Sequence, residues 1–188
     1  AVSLGAQVYA FDVRPEVAEQ IESMGAEFVF LDFEEAQDGA ATGGYAAPSS
    51  PEFREAQLAK FRELAPEMDI VITTALIPGR KAPTLLQEAT VEQMKPGSVI
   101  VDLAAGHGGN CPLTEIDQVV VRHGVTIVGH ANLATLVPAD ASALYARNLL
   151  DFLKLVIDKD GQFQLNLEDD IVAACLMCRD GQVVRTNG

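Results

Sequence analysis

Two short apolar runs constrain this chain more than anything else in it: Ile70-Val71-Ile72 within Pro66 to Thr74, and Val99-Ile100-Val101 within Pro96 to Ala104. Each is apolar at consecutive positions, not alternate ones. A strand with one buried face alternates, whereas a continuous run suits a parallel sheet covered by helices on both faces. The intervening sequence supplies those helices. The predicted class is therefore α/β, with a doubly wound, mostly parallel sheet.

The flanking segments extend this pattern. The opening residues read as a helix tail, then a strand from Gln7 to Asp12, a helix from Pro15 to Met24 and a strand from Glu27 to Leu31. Pro15 takes a favoured first-turn position and Gly25 a terminating one. A Gly-, Ala-, Ser- and Pro-rich stretch from Glu34 to Phe53, centred on Tyr45, is longer than an ordinary connection. Glu52 to Leu64 reads as a helix with Phe53, Leu58, Phe61 and Leu64 available for burial. Val119 to Gly129 is β-branched on either side of His123-Gly124, the pattern of a hairpin. From Asp140 the spacing of Leu144, Leu149, Leu150, Leu153, Val156 and Ile157 predicts a helix of roughly 27 Å at 1.5 Å per residue. Short alternating strands are expected at Phe163 to Leu167 and Ile171 to Val184. The expected domains are residues 1–138 and 139–188, divided near Pro138.

Composition narrows the function classes. The 188 residues are 48% hydrophobic and 21% charged, which is globular, and 13 Lys+Arg against 27 Asp+Glu give a net charge of −14. That charge disfavours nucleic acid or anionic lipid as a partner. No apolar run approaches the ~20 residues of a membrane helix, so no direct membrane insertion is expected, and no export leader is visible. Among three cysteines, Cys175 and Cys178 have C-x-x-C spacing, but the expected hairpin around them would point the two thiols to opposite faces.

A nucleotide site is suggested at "YAFDVR". In doubly wound sheets an acidic residue at the end of the second strand accepts hydrogen bonds from the ribose hydroxyls of NAD. Asp12 fits, and it equally fits a turn or helix-cap aspartate. A carboxylate there favours NAD over NADP, although Arg14 is of the type that accommodates a 2′-phosphate. The glycine fingerprint expected about 20 residues upstream has no room, since 11 residues precede Asp12. The expectation is a Rossmann-like unit lacking its first strand and Gly-rich loop. Gly43-Gly44 follows no strand, and "GHGGN" (Gly106 to Asn110) lacks the spacing. Thr73 to Pro83 follows a strand at the carboxyl edge, where Thr73 and Thr74 offer hydroxyls; an ordinary βα loop reads the same way. His107, His123 and His130 show no partner for acid/base work. The carboxylates show no zinc-ligand spacing, so no metal site and no catalytic side chain is assigned.

Five strings in order, "FDVRPEV…ESMGAEF", "TGGYA", "DIVITTALIPGRKAP", "MKPGSVIVDLAAGHGGNCPL" and "GVTIVGHANL", resemble the NAD(H)-binding component of proton-translocating NAD(P) transhydrogenase, its α subunit or first domain. "TGGYA" separates this from alanine dehydrogenase, the nearest relative, which resembles the rest but lacks the long loop. The resemblance implies that Asp12, Val13 and Arg14 contact the adenosine ribose of NAD. It implies that Gly44 and Tyr45 lie in a mobile loop closing over nucleotide, and that Thr74, Ala75 and Leu76 line the nicotinamide side. The family's glycine fingerprint and its Arg-Gln-Asp loop have no counterpart in this sequence, and His107 departs from the family pattern and receives no role.

The resemblance further implies direct hydride transfer from NADH to NADP(H) bound by a partner domain, needing no acid or base. It implies membrane-spanning partner components that couple transfer to proton movement, and a homodimer. The implied location is cytoplasmic and peripheral to the inner membrane, or the mitochondrial matrix in a eukaryote. By itself the fragment is expected to be inactive. The residues past 138 are expected to pack with an N-terminal domain. Two other readings are an alanine-dehydrogenase-like amino-acid oxidoreductase and a non-catalytic nucleotide-binding module.

Overall fold

The computed structural model describes residues 1–31, 50–77 and 79–184, which form two compact units, Ala1–Ala131 and the residues from Asn132 onward. The first is α/β. Strand β1 (Tyr9–Ala10) and helix α1 (Ala18–Ser23) lead to β2 (Glu27–Phe28), which pairs parallel with β1. Helix α2 (Pro51–Leu64) begins at an N-cap, Ser50, whose hydroxyl accepts from the Phe53 amide at 3.1 Å. Then follow β3 (Ile70–Thr73), α3 (Glu88–Val91), β4 (Val99–Asp102), β5 (Val119–Arg122) and β6 (Val125–Val128). These last strands form one sheet in the order β3-β4-β6-β5. Its first three strands are parallel, and β5 closes the edge antiparallel to β6. The expected hairpin is present: His123 and Gly124 both take positive φ, 52° and 78°, as a two-residue turn between twisted strands requires.

The register decides the core. Val71, Ile100, Ile127 and Val120 stand side by side on one face. That face packs with Leu86, Val91, Met94, Cys111 and Val125 into a single cluster. Burying each such side chain contributes roughly 1.5–3 kcal/mol. The opposite face carries Ile70, Ile72, Val119 and Val121, which are 53–64% exposed. A continuous apolar run records that both sides of a strand are apolar; among the described residues one of those sides is packed over, and the parallel α/β sheet expected from the sequence is present. Strands β1 and β2 belong to a separate two-stranded sheet. Phe11 ties it to α2, its ring edge-on to Phe61 at 5.1 Å and stacked on Phe28 at 6.5 Å.

The second unit is built around α4 (Pro138–Val156), 19 residues long, with proline at its first position. Ile157 bridges to Phe163, and the Asp158 carboxylate accepts from the amides of Asp160 and Gln162 in the intervening turn. Two expectations fail here: the strand expected at Phe163 to Leu167 is reduced to the single bridge at Phe163, and Ile171 onward does not begin as a strand. Asp170–Cys175 is a helix, α5, not a strand. Asp169 explains it: its carboxylate accepts from the amides of Ile171 and Val172 at 3.0 Å each, capping a helical turn that the β-branched residues alone disfavour. The chain then forms a short hairpin, β7 (Cys178–Arg179) with β8 (Gln182–Val183), turning at Asp180-Gly181. Cys175 and Cys178 thus sit on different elements, both exposed and free. Among the described residues no helix is long and apolar enough to cross a membrane.

The tightest polar knot of the first unit is at the end of β4. Asp102 has no exposed surface, and its carboxylate collects five donors. Oδ1 accepts from the Ala104 amide at 3.0 Å and the Thr73 hydroxyl at 3.3 Å. Oδ2 accepts from the amides of Asn110 at 2.8 Å and Cys111 at 3.2 Å, and from the Thr114 hydroxyl at 2.7 Å. Replacing Asp102 with Ala leaves three buried amides without an acceptor and is expected to cost about 3–5 kcal/mol in urea unfolding. A loss below about 1 kcal/mol would show that the loop re-satisfies those donors by other means.

Candidate functional site

Ligands of open α/β sheets sit beyond the carboxyl ends of the parallel strands. Two such ends carry the residues singled out from sequence. After β1, Asp12 turns the chain: its Oδ1 accepts from the Arg14 backbone amide at 2.9 Å, an Asx turn. The same carboxylate is gripped by the Arg14 guanidinium, Nε on Oδ1 and Nη2 on Oδ2, each at 2.9 Å. Burial raises the Asp12 carboxyl, but the hydrogen bonds and charge of Arg14 outweigh it and hold the group below the ordinary carboxylate range. Asp12 therefore stays ionised at neutral pH. Its side chain is 29% exposed, and the intervening Val13 is half-buried. The turn reading of Asp12 is correct as far as the backbone goes, and the carboxylate remains within reach of solvent.

A carboxylate offers about four acceptor positions. Three hydrogen bonds from Arg14 already engage them, and a ribose diol needs two, so the diol competes with the guanidinium for at least one. The acceptor oxygens suit an adenosine ribose to the extent that the diol displaces one of the Arg14 hydrogen bonds. The same pairing turns the guanidinium toward Asp12, away from the role of a 2′-phosphate ligand.

The second strand end is that of β3. Here the Thr73 hydroxyl is not available as expected: it is buried against Asp102. Thr74 is exposed, Ala75 half-buried and Leu76 49% exposed. The segment is laced to the loop after β4. The amide of Ala82 donates to the His107 carbonyl at 2.8 Å, and the amides of Leu85 and Leu86 donate to the Asn110 carbonyl at 2.8 and 3.1 Å. The Asn110 carboxamide nitrogen donates to the carbonyls of Ala75 at 2.9 Å and Pro83 at 2.8 Å. Gly108 and Gly109 both take positive φ in that loop, and a Cβ on Gly109 would lie 2.9 Å from Asp102 Oδ2. Gly109 thus lets the loop close on the Asp102 carboxylate, and Gly108 supplies its left-handed turn.

Sequence reasoning missed Asp102 and Asn110, although the buried-strand pattern around Asp102 was the available signal. Gly44 and Tyr45 lie outside the described residues. His107 is exposed at the same edge, and among the described residues its imidazole has no carboxylate partner. Burial pushes the Cys111 thiol up, so it stays protonated and is no nucleophile. Away from both strand ends, Glu88, Glu92 and His123 bring one ligand atom each within 4.8 Å of one another, a convergence that no sequence spacing announced. All three are exposed, and His123 Nε2 already lies 3.1 Å from Glu88.

The Asp12–Arg14 pair predicts a pH dependence of stability. A carboxyl held low in the fold contributes stability above its unfolded pKa, roughly 3.9, and loses it as pH falls through the lower folded value. Urea midpoints of the wild type and Arg14→Ala should differ by a constant increment from about pH 5 to pH 7, shrinking below about pH 4. An increment that persists undiminished in acid would mean that Arg14 acts through packing.

Comparison with known proteins now gives this geometry a family. Residues 1–186 match the family described as "Alanine dehydrogenase/PNT, C-terminal domain". The NAD(P) transhydrogenase subunit alpha of Cereibacter sphaeroides is 65% identical over 185 residues, covering 97% of this chain and 35% of that protein. The crystal structure of transhydrogenase from Sinorhizobium meliloti superposes with a TM-score of 0.72 at 42% identity, over 97% of this chain and 47% of that one. An L-alanine dehydrogenase structure gives 0.66 at 27% identity, over 97% and 45%. The chain spans between a third and a half of the length of these relatives. Its fold is Rossmann-like. The chain belongs to the alanine dehydrogenase/PNT C-terminal domain family, on its transhydrogenase α-subunit side.

Proposed function

We propose that this chain is the NAD(H)-binding part of a proton-translocating NAD(P) transhydrogenase. The observation that carries the reading is Asp12: an ionised, partly exposed carboxylate at the carboxyl end of a parallel strand, where a dinucleotide ribose is accepted. Asp12 with Val13 and Arg14 holds the adenosine ribose. Thr74, Ala75 and Leu76 face the nicotinamide side, and the resemblance assigns Gly44 and Tyr45 to cover the nucleotide. The bound dihydronicotinamide supplies a hydride, passed directly to NADP+ on a partner component.

The chain's own residues bind, orient and exclude water. The buried polar groups at the edge of β3 and β4 suit that task, because they are spent on fixing backbone and not on exchanging protons. The 2′-hydroxyl competes with Arg14 for Asp12, and a 2′-phosphate would be repelled there, which favours NAD(H) over NADP(H) on this component. Membrane-spanning components couple the transfer to proton movement. The protein works as a homodimer at the membrane surface, on the cytoplasmic side of an inner membrane or in a mitochondrial matrix. Residues 1–138 form the nucleotide-binding part, and 139–188 pack against the remainder of an α subunit; residues 1–188 alone are inactive.

Alanine dehydrogenases share the family description, so the assay must separate the two chemistries. In the assembled enzyme, Asp12→Ala is expected to weaken NADH binding by about 1–3 kcal/mol, roughly 5- to 150-fold by calorimetry. Unchanged affinity removes Asp12 from the ribose site. The wild type is expected to reduce an NADP+ analogue with NADH and to show no pyruvate-dependent NADH oxidation. The opposite pair of results would make the chain part of an amino-acid dehydrogenase, and NADH binding without any hydride transfer would make it a non-catalytic module.

A further inference from the structure

We infer that Asn110 is the positioning residue of the loop that follows β3. Its consequence for NADH rests on the proposed function; its role in holding the loop does not. Asn110 has no exposed surface. Its backbone amide is fixed on Asp102, its backbone carbonyl takes the amides of Leu85 and Leu86, and its carboxamide nitrogen donates to the carbonyls of Ala75 and Pro83. One side chain therefore pins both ends of the segment from Ala75 to Pro83. Both protons of the carboxamide are used, so the group cannot flip: the reverse orientation would set Oδ1 against two carbonyl oxygens.

The remaining atom shows what dictates this arrangement. Asn110 Oδ1 is buried and has no hydrogen-bond partner among the described residues. An unsatisfied buried acceptor is costly, and such groups persist where the surroundings impose them. The carboxamide is oriented by the needs of the two carbonyls and not by its own satisfaction. With its carbonyl turned inward to Asn110, Ala75 anchors the chain between the exposed Thr74 and Leu76. Those are the residues proposed to meet the nicotinamide. Asp102 positions Asn110 in turn, so the order of control runs from the buried carboxylate through the amide to the ligand-facing backbone.

Asn110→Asp tests this at constant volume, because an ionised carboxylate donates neither hydrogen bond and a protonated one donates a single bond. Asn110→Ala removes both. In nucleotide-free protein, hydrogen exchange across 74–86 is expected to quicken by about fivefold to thirtyfold, with the sheet amides unchanged. In Asn110→Asp the effect should deepen as pH rises through the carboxyl's titration. In the assembled enzyme, hydride transfer at saturating NADH should fall about tenfold or more, while affinity for ADP-ribose, which lacks nicotinamide, stays within about twofold. Unchanged exchange across 74–86 would overturn the inference. So would variants that both fail to fold, or equal losses of ADP-ribose and NADH affinity with an unchanged transfer rate. Failure of the wild type to bind NADH would sink the proposed function alone, because the exchange measurement decides the role of Asn110 without nucleotide.

Discussion

A single buried carboxylate organises the carboxyl edge of the four-stranded sheet. Asp102 ends β4 with no solvent contact and no cationic partner among the described residues, and five donors close around it. Three are backbone amides of the segment that follows, so the path of residues 103–114 is set by the need to bring those amides to one point. Asn110 carries that constraint sideways to the loop after β3. A buried charge is tolerated when hydrogen bonds surround it, and the arrangement trades desolvation for a rigid backbone at the place where a ligand would rest. Loops usually belong to the softer parts of a fold. Here the two loops share a polar core of their own.

The other strand end is held differently. Asp12 meets Arg14 at a partly exposed pair, where geometry is well defined but solvent is close. The pair is bidentate but only partly buried, so its net contribution to stability is modest. Under the proposed function, the two strand ends would divide the work of binding a dinucleotide. A partly exposed carboxylate suits a sugar diol, whose hydroxyls would displace a guanidinium hydrogen bond. A fixed backbone suits a ring whose distance to an acceptor decides the rate. This division accords with chemistry that transfers a hydride between two rings and asks no side chain for a proton.

Much of the α/β unit was legible in the amino-acid order because its signals are local. Ile70-Val71-Ile72 and Val99-Ile100-Val101 are strands in the structure, the helix after Ser50 starts within a residue of its expected place, and His123-Gly124 is the turn of a hairpin. Strand lengths at Tyr9–Ala10 and Glu27–Phe28 were overread, since pairing partners and not propensity decide where a ladder stops. Ile171 to Cys175 misled for a related reason: β-branched content argues for a strand, and one aspartate cap overrules it. Asp12 and the β3 loop could be placed at strand ends from the sequence because such positions can be counted. Asp102 and Asn110 could not be singled out, because their importance lies in hydrogen bonds between segments 8 to 35 residues apart.

Gly109 has a consequence for how this sequence can drift. The position where its Cβ would stand is 2.9 Å from the Asp102 carboxylate, on a backbone with φ of 73°. No side chain enters there while the acid remains, and a smaller residue at 102 would strand the amides that the glycine's own bend delivers. A change at either position strains what the other provides, so substitutions at 102 and 109 should be energetically coupled and not additive.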